Sequence, residues 1–360
     1  MFGLRAWTAY MAVLEEPLTL EEALQSENAV AWKSAWESEL HSLQNNRTWV
    51  VEKVPRRGKI VGCRWLFRWK DDGRFKVRLV VKGYWQESGT NLKDTFAPVA
   101  KFTTLQVLLT LVVGNDYELD SMDVKRAFLN RELEEKIFME CPEGVEEIQE
   151  PGYACRLVKA IYRLRQSPWP WYQKINTFFN KHNFLRSSED YSLYINYHRK
   201  LLALVYIDDL VLAAAENKEI RCIKCSLGKA FKMTDLGELV IVLGLEIKRD
   251  RRQRVLTLSP HRYIDWILHR HGMQDAWPWP TPLDHHIRLV STTNKDTSAS
   301  QEVNLELYQS AVGSLMYAIL GTRPDLAFAV GLVSQFKHSP QPEYWNAVQR
   351  IFCYLFGTKH

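Results

Sequence analysis

Two apolar runs, Leu201–Ile207 and Leu210–Ala215, are separated only by Asp208-Asp209. Short runs of this kind, broken by two acidic residues, read as strand-turn-strand. The turn limits what can surround it. Each ionised carboxylate between buried strands loses hydration and repels its neighbour. A hairpin tip open to solvent would relieve the conflict. So would a divalent cation, because hard ions such as Mg²⁺ take oxygen ligands, often one or two carboxylates completed by substrate phosphates. Phosphoryl transfer needs that neutralisation, since the attacking and leaving oxygens are both anionic. The pair alone leaves both arrangements open.

A third carboxylate lies on a second predicted strand, Tyr117–Val124, followed by a helical turn at Lys125-Arg-Ala-Phe-Leu-Asn. Asp120 and Asp123 both stand on it, and alternation alone does not choose between them. Elsewhere Pro17-Leu-Thr-Leu-Glu-Glu-Ala reads as a helix start, with Thr19 as N-cap and Glu22, three residues on, as its capping-box partner. A second helix is expected over about Val30–Leu43. Thr48–Val54, Ile60–Trp69 and Phe75–Gly83 read as strands, the last two joined at Asp71-Asp72-Gly73. Phe102–Val113 is apolar enough for a buried helix. Val240–Lys248 reads as a strand, Arg249–Arg254 as a basic turn and His261–His271 as a helix. Asp284–Asn304 is a polar linker, and Tyr308–Lys359 reads as helices interrupted at Pro324 and Pro340.

With 46% hydrophobic and 12% aromatic residues, the 360-residue chain can fill two or three cores. No apolar run reaches the roughly 18 to 20 residues that span a bilayer, and the first residues lack a signal-sequence pattern. The expectation is an intracellular protein without a membrane partner. The six cysteines show no framework spacing, so reduced thiols are expected. Cys222 and Cys225 have zinc-like spacing, but no second pair or His lies near them. Charge is uneven under a net +5: residues 1–52 carry three basic and eight acidic side chains, Lys53–Lys101 thirteen and four, and Arg156–Ser188 seven and none. Two basic stretches interleaved with Trp, Tyr and Phe fit a polyanion groove with stacking surfaces better than a merely solvated face.

MDVKRAFLN, followed far downstream by YIDD, resembles the polymerase signature of reverse transcriptases. The flanking blocks resemble the copia-type retrotransposon branch. They include EPLTLEEAL, WKSAWESELHSLQNNRTW, RWLFRWK and KVRLVVKGYWQESGTNLKDTFAPVAKFTTL, then RLVKAIYRLRQSPWPWY, FKMTDLGELVIVLGLEIKR, YQSAVGSLMYAILGTRPDLAFAVGLVSQF and RIFCYLFGT. Their order covers nearly the whole chain. The resemblance implies an RNA-directed DNA polymerase that joins dNTPs to a primer 3′ end on an RNA template and holds the resulting RNA–DNA hybrid. It implies two Mg²⁺ ions, with Mn²⁺ as a substitute. It selects Asp123, with Asp208 and Asp209, as metal ligands and catalytic residues. It places Lys76 and Arg78 near the triphosphate, Gln166 near the incoming nucleotide, Phe128 beneath its sugar as a gate, and Leu243-Gly244 at the primer end.

The implied fold is α+β, a right-hand polymerase with an antiparallel palm sheet backed by helices. Residues 1–48 would be a helical lead-in, 49–248 interleaved fingers and palm, and 249–284 a thumb. Residues 285–305 would be a linker and 306–360 a connection segment stopping before ribonuclease H, with no protease or integrase segment. Oligomeric state is left open. Arg131, Arg163, Trp169, Tyr344 and Pro260 depart from the family pattern. They keep alive a second reading, a degenerate copy that binds nucleic acid without synthesis.

Overall fold

The computed structural model describes residues 16–55, 58–69, 73–82, 97–124, 132–145, 152–162, 164, 168–284, 289 and 303–359. The chain divides into two compact units, residues 11–101 with 118–237, and residues 1–10 with 102–117 and 238–360. Helices and several mainly antiparallel sheets make it a mixed α+β chain.

In the first unit, helix α1 (Leu20–Gln25) opens on Thr19, whose hydroxyl accepts the Glu22 amide at 3.1 Å. The Glu22 carboxylate reaches back to the Leu18 amide at 2.7 Å, one residue before the cap itself. Helix α2 (Ala29–Asn45) sets Trp32 edge-on against Phe67 and Phe75. Strands β1 (Trp49–Lys53), β7 (Tyr153–Lys159), β6 (Glu132–Met139) and β2 (Ile60–Val61) form one sheet in that order, with β2 and β6 parallel. The single strand expected over Ile60–Trp69 is two, broken at Gly62. Its second half, β3 (Cys63–Trp69), pairs with β4 (Phe75–Val81). Trp65, Phe67, Val77 and Leu79 enter one core from this hairpin. Alternation therefore sends Lys76 and Arg78 to its other face.

The larger sheet of this unit runs β12 (Met233–Glu238), β5 (Glu118–Val124), β11 (Asp209–Ala214), β10 (Leu201–Tyr206), β9 (Leu193–Asn196), β8 (Leu185–Arg186). Helices α4 (Pro168–Lys181) and α5 (Asn217–Ala230) pack on one face of it. Met122, Val124, Leu210, Leu212 and Ala214 meet Trp171, Phe179, Ile220 and Leu227 there. Leu210 to Ala214 are all buried, which is why this strand shows an unbroken apolar run instead of alternation.

In the second unit, helix α3 (Phe102–Gly114) buries Leu105, Leu108, Leu109 and Val112 but exposes Val107 and Leu111, so it is amphipathic in place and not wholly buried as its composition suggested. Arg249 on β14 (Leu245–Asp250) donates to the Tyr117 carbonyl at 2.5 Å and pairs with Asp116 at 2.8 Å. The strand expected over Val240–Lys248 is also two: β13 (Ile241–Val242) and β14 turn at Leu243-Gly244 before β15 (Val255–Ser259). Leu243 (φ 50°) and Gly244 (φ 69°) both lie in the left-handed region, as a two-residue hairpin turn of this kind requires. A Cβ on Gly244 would meet nothing within 4 Å, so backbone conformation and not space calls for glycine there.

Helices α6 (His261–Arg270), α7 (Leu305–Gly321), α8 (Ala327–Ser334) and α9 (Pro342–Gly357) share one core, with a 3₁₀ turn at Pro324–Leu326. Tyr344, one of the departures noted above, is buried and stacks on Phe336 at 4.0 Å. Pro260 is the residue before the first turn of α6, where its missing amide costs no helical bond. Among the described residues no helix is long and apolar enough to cross a membrane.

Candidate active site

The β10–β11 hairpin closes with Tyr206 opposite Asp209, leaving Ile207 and Asp208 as its two central residues. On the other side of β11, Asp209 stands directly across from Asp123 on β5. The Val124 amide donates to the Asp208 carbonyl at 2.9 Å and fixes the turn to the end of β5. Three carboxylates from two distant parts of the sequence are thus gathered at one sheet end. Asp120, the alternative to Asp123, is three residues earlier and so on the opposite face. There its carboxylate accepts from the buried Lys224 of α5 at 2.5 Å, and Lys224 also donates to Asp235 at 2.5 Å.

The turn carries strain. Ile207 has φ 55°, a left-handed conformation that a β-branched side chain adopts at a cost of roughly 1–3 kcal/mol. Its carbonyl accepts the indole N–H of Trp171, on α4, at 2.8 Å. Trp171 is itself buried and packs edge-on against Phe231.

Burial pushes the Asp208 carboxyl up to about 6, against the pull of Arg78 and with the added repulsion of Asp123 and Asp209; Lys76 pulls it down more weakly. Asp208 Oδ1 is buried without a hydrogen-bond partner among the described residues, and so is Arg78 Nε. The Arg78 guanidinium lies over the Tyr162 ring, 4.9 Å from its centre. Burial raises the Tyr162 hydroxyl, as does the Asp208 charge, while Arg78 lowers it. Tyr162 is held by a parallel bridge to Val80, and its carbonyl accepts the Val81 amide at 3.1 Å. A buried carboxylate atom without a donor, beside two further carboxylates, is a donor set suited to a hard cation. Among the described residues no three acidic, His or Cys side chains form a ready-made cage.

Of the other residues expected in a site, Lys76 and Arg78 share the polar face of β4, and both are felt electrostatically at Asp208. Phe128 and Gln166 lie outside the described residues. Leu243 and Gly244 form the β13–β14 turn of the second unit, where Tyr317 donates its hydroxyl to the Leu243 carbonyl at 2.8 Å. Some expected cations are already engaged: Arg68 pairs with Glu16 and Arg156 with Glu52. Cys222 and Cys225 are exposed on α5, and Cys222 Sγ accepts from Arg199 at 3.5 Å. Tyr162, Trp171 and Ile207 were not singled out in the sequence. The available signal for Trp171 was that a buried indole N–H needs an acceptor.

Residues 46–285 match the family described as reverse transcriptase (RNA-dependent DNA polymerase). Over 98% of its length the chain is 38% identical to the retrovirus-related Pol polyprotein from transposon TNT 1-94 of Nicotiana tabacum, of which it covers 27%. It is 34% identical to the corresponding polyprotein from transposon RE2 of Arabidopsis thaliana over 98% of the chain and 24% of that protein. For transposon RE1 of the same plant the figures are 35%, 97% and 24%. The chain therefore spans about a quarter of these polyproteins. With its carboxylates set at the end of one sheet, the chain belongs to the reverse transcriptase family, in the branch carried by copia-type transposon Pol polyproteins.

Proposed function

We propose that this chain is an RNA-directed DNA polymerase whose centre is Asp123, Asp208 and Asp209. The observation that carries the reading is the cross-strand placement of Asp209 beside Asp123, with the unpartnered Asp208 Oδ1 buried at the same turn. Asp123 and Asp208 would hold two divalent ions, Mg²⁺ or in its place Mn²⁺, with Asp209 nearby. When bound, such ions neutralise the charge on the attacking and leaving oxygens of nucleotidyl transfer. Lys76 and Arg78 present cations on the side from which Asp208 feels them, suited to the phosphates of an incoming dNTP. Phe128 is assigned to the sugar gate, Gln166 to the nucleotide, and Leu243-Gly244 to the primer end. The larger sheet with α4 and α5 would be the palm and the β3–β4 hairpin part of the fingers. The second unit would supply thumb and connection elements.

The partners are an RNA template, a nucleic-acid primer and the RNA–DNA hybrid they become. The test is homopolymer-templated dNTP incorporation by the purified chain with Mg²⁺ or Mn²⁺. Template-dependent, metal-dependent extension is the expected result. Template binding without extension under either metal would defeat the reading.

A further inference from the structure

Ile207 is held in a conformation that its side chain disfavours, at the residue immediately before Asp208. A strained residue persists only where its surroundings over-determine it. Two contacts do so here. At one carbonyl of the turn, the Val124 amide bonds the Asp208 oxygen at 2.9 Å. At the preceding carbonyl, the Trp171 indole N–H bonds the Ile207 oxygen at 2.8 Å. The two bonds grip the peptides on either side of the Asp208 Cα and fix the direction in which its carboxylate points. Trp171 is suited to this task. Its ring is 4% exposed and wedged against Phe231, so the N–H has little freedom to swing away. Losing the N–H would leave a carbonyl short of a donor and a strained peptide free to relax by rotation, which would carry Asp208 with it.

We infer that Trp171 is a positioning residue for the Asp208 carboxylate, acting through the backbone of Ile207. The geometry stands without reference to polymerase activity, whereas its consequence for the rate rests on the function proposed above. Trp171→Phe keeps a ring and deletes the donor. Where that variant fails to fold, benzothienylalanine at the same position keeps the indole outline and replaces N–H by sulfur.

The first readout is amide hydrogen exchange at Val124, whose bond to the turn is lost if the turn relaxes. Exchange at least about tenfold faster than in the wild type, with core amides such as Leu212 unchanged, is expected. The second is the single-turnover rate of dNTP incorporation, expected to fall about tenfold or more with the KM for dNTP little changed. Glycine accepts φ near 55° without strain. The effect of Trp171→Phe should therefore shrink to less than about threefold when measured in an Ile207→Gly background. Unaltered Val124 exchange in a folded Trp171→Phe protein overturns the inference, as does an undiminished effect of Trp171→Phe beside Ile207→Gly. A wild-type chain that incorporates no nucleotide defeats the polymerase reading instead, and the exchange measurement still decides the role of Trp171.

Discussion

Asp120 and Asp123 stand three residues apart on β5, yet Asp120 is ion-paired to Lys224 whereas Asp123 stands across from Asp209. Asp120 faces α5 and forms an ion pair with the buried Lys224, which Asp235 completes from its other side. Asp123 faces the opposite way, beside Asp209, at a turn where burial and like charges push the Asp208 carboxyl up to about 6. The same residue type on one strand thus serves cohesion on one face, while on the other it belongs to a cluster of three carboxylates. Like charges around a buried carboxylate lower stability and mark a candidate functional site.

Breaking the second cluster should have the largest effect. Asp123→Asn and Asp208→Asn should each lower dNTP incorporation about a thousandfold or more, because each removes a ligand for ions that neutralise developing charge. Affinity for a template–primer duplex should stay within a few-fold. Asp120→Asn should leave incorporation within about threefold of the wild type. Loss of activity in Asp120→Asn comparable to that in Asp123→Asn would erase the distinction between the two faces.

Breaking the first cluster should cost stability instead. Lys224→Met leaves Asp120 partly buried with its cation gone, and removing one partner of a buried pair destabilises by roughly 3–5 kcal/mol. Asp235 is more than half exposed and can rehydrate, so about 2–3 kcal/mol is the expected loss in urea unfolding. Activity per folded molecule should be kept. Adding Asp120→Leu should recover much of the lost stability, since it removes the stranded charge.

The choice between these aspartates was not legible in the sequence. Strand β5 places Leu119 on one face and Met122 on the other, so neither face is marked as the buried one. What decides is Lys224, about a hundred residues later, and no local pattern announces that contact. The hairpin at Asp208-Asp209 was legible because its two strands are contiguous, although its turn falls one residue earlier than expected, at Ile207-Asp208. The Thr19 cap was legible for the same local reason. Strands β6 to β9 were not anticipated: β6 and β7 pair with β2 and β1 far away in sequence, and β8 and β9 are only two and four residues long. The turn at Leu243-Gly244 had a signal in its glycine, but Leu243 in the left-handed region is not a conformation that a leucine suggests.

A smaller effect concerns the cations. Lys224 is bonded to its acids, whereas Arg78 lies over Tyr162 and acts on Asp208 through its field. Arg78→Glu with Lys76→Glu should raise the KM for dNTP about tenfold while weakening template binding less, because these side chains address the incoming triphosphate. Equal loss of both would place them on the template path instead.

The smallest effect sharpens the comparison in the chelated, metal-free protein. The Asp208 carboxyl sits at about 6 in the folded chain and near 3.8 in an unfolded one. Between these values the folded state binds the proton more tightly, so stability is fully present below about pH 4 and falls as pH rises through 6. Asp208→Asn removes a group that is costly only when ionised. The variant should therefore match the wild type near pH 4 and exceed it at pH 7. Partial exposure and nearby Arg78 screen the shift, so roughly 1 kcal/mol is expected, or about 1–2 °C in Tm for a chain of this size. Asp120→Asn should move in the opposite direction, losing stability at pH 7, because it weakens the tie to Lys224. Saturating Mg²⁺ should raise the Tm of the wild type more than that of Asp208→Asn, since an ion bound only to the folded state stabilises it by mass action. A Tm gain for Asp208→Asn that is the same at pH 4 and pH 7 would mean that the benefit comes from packing at the turn and not from relief of the buried charge.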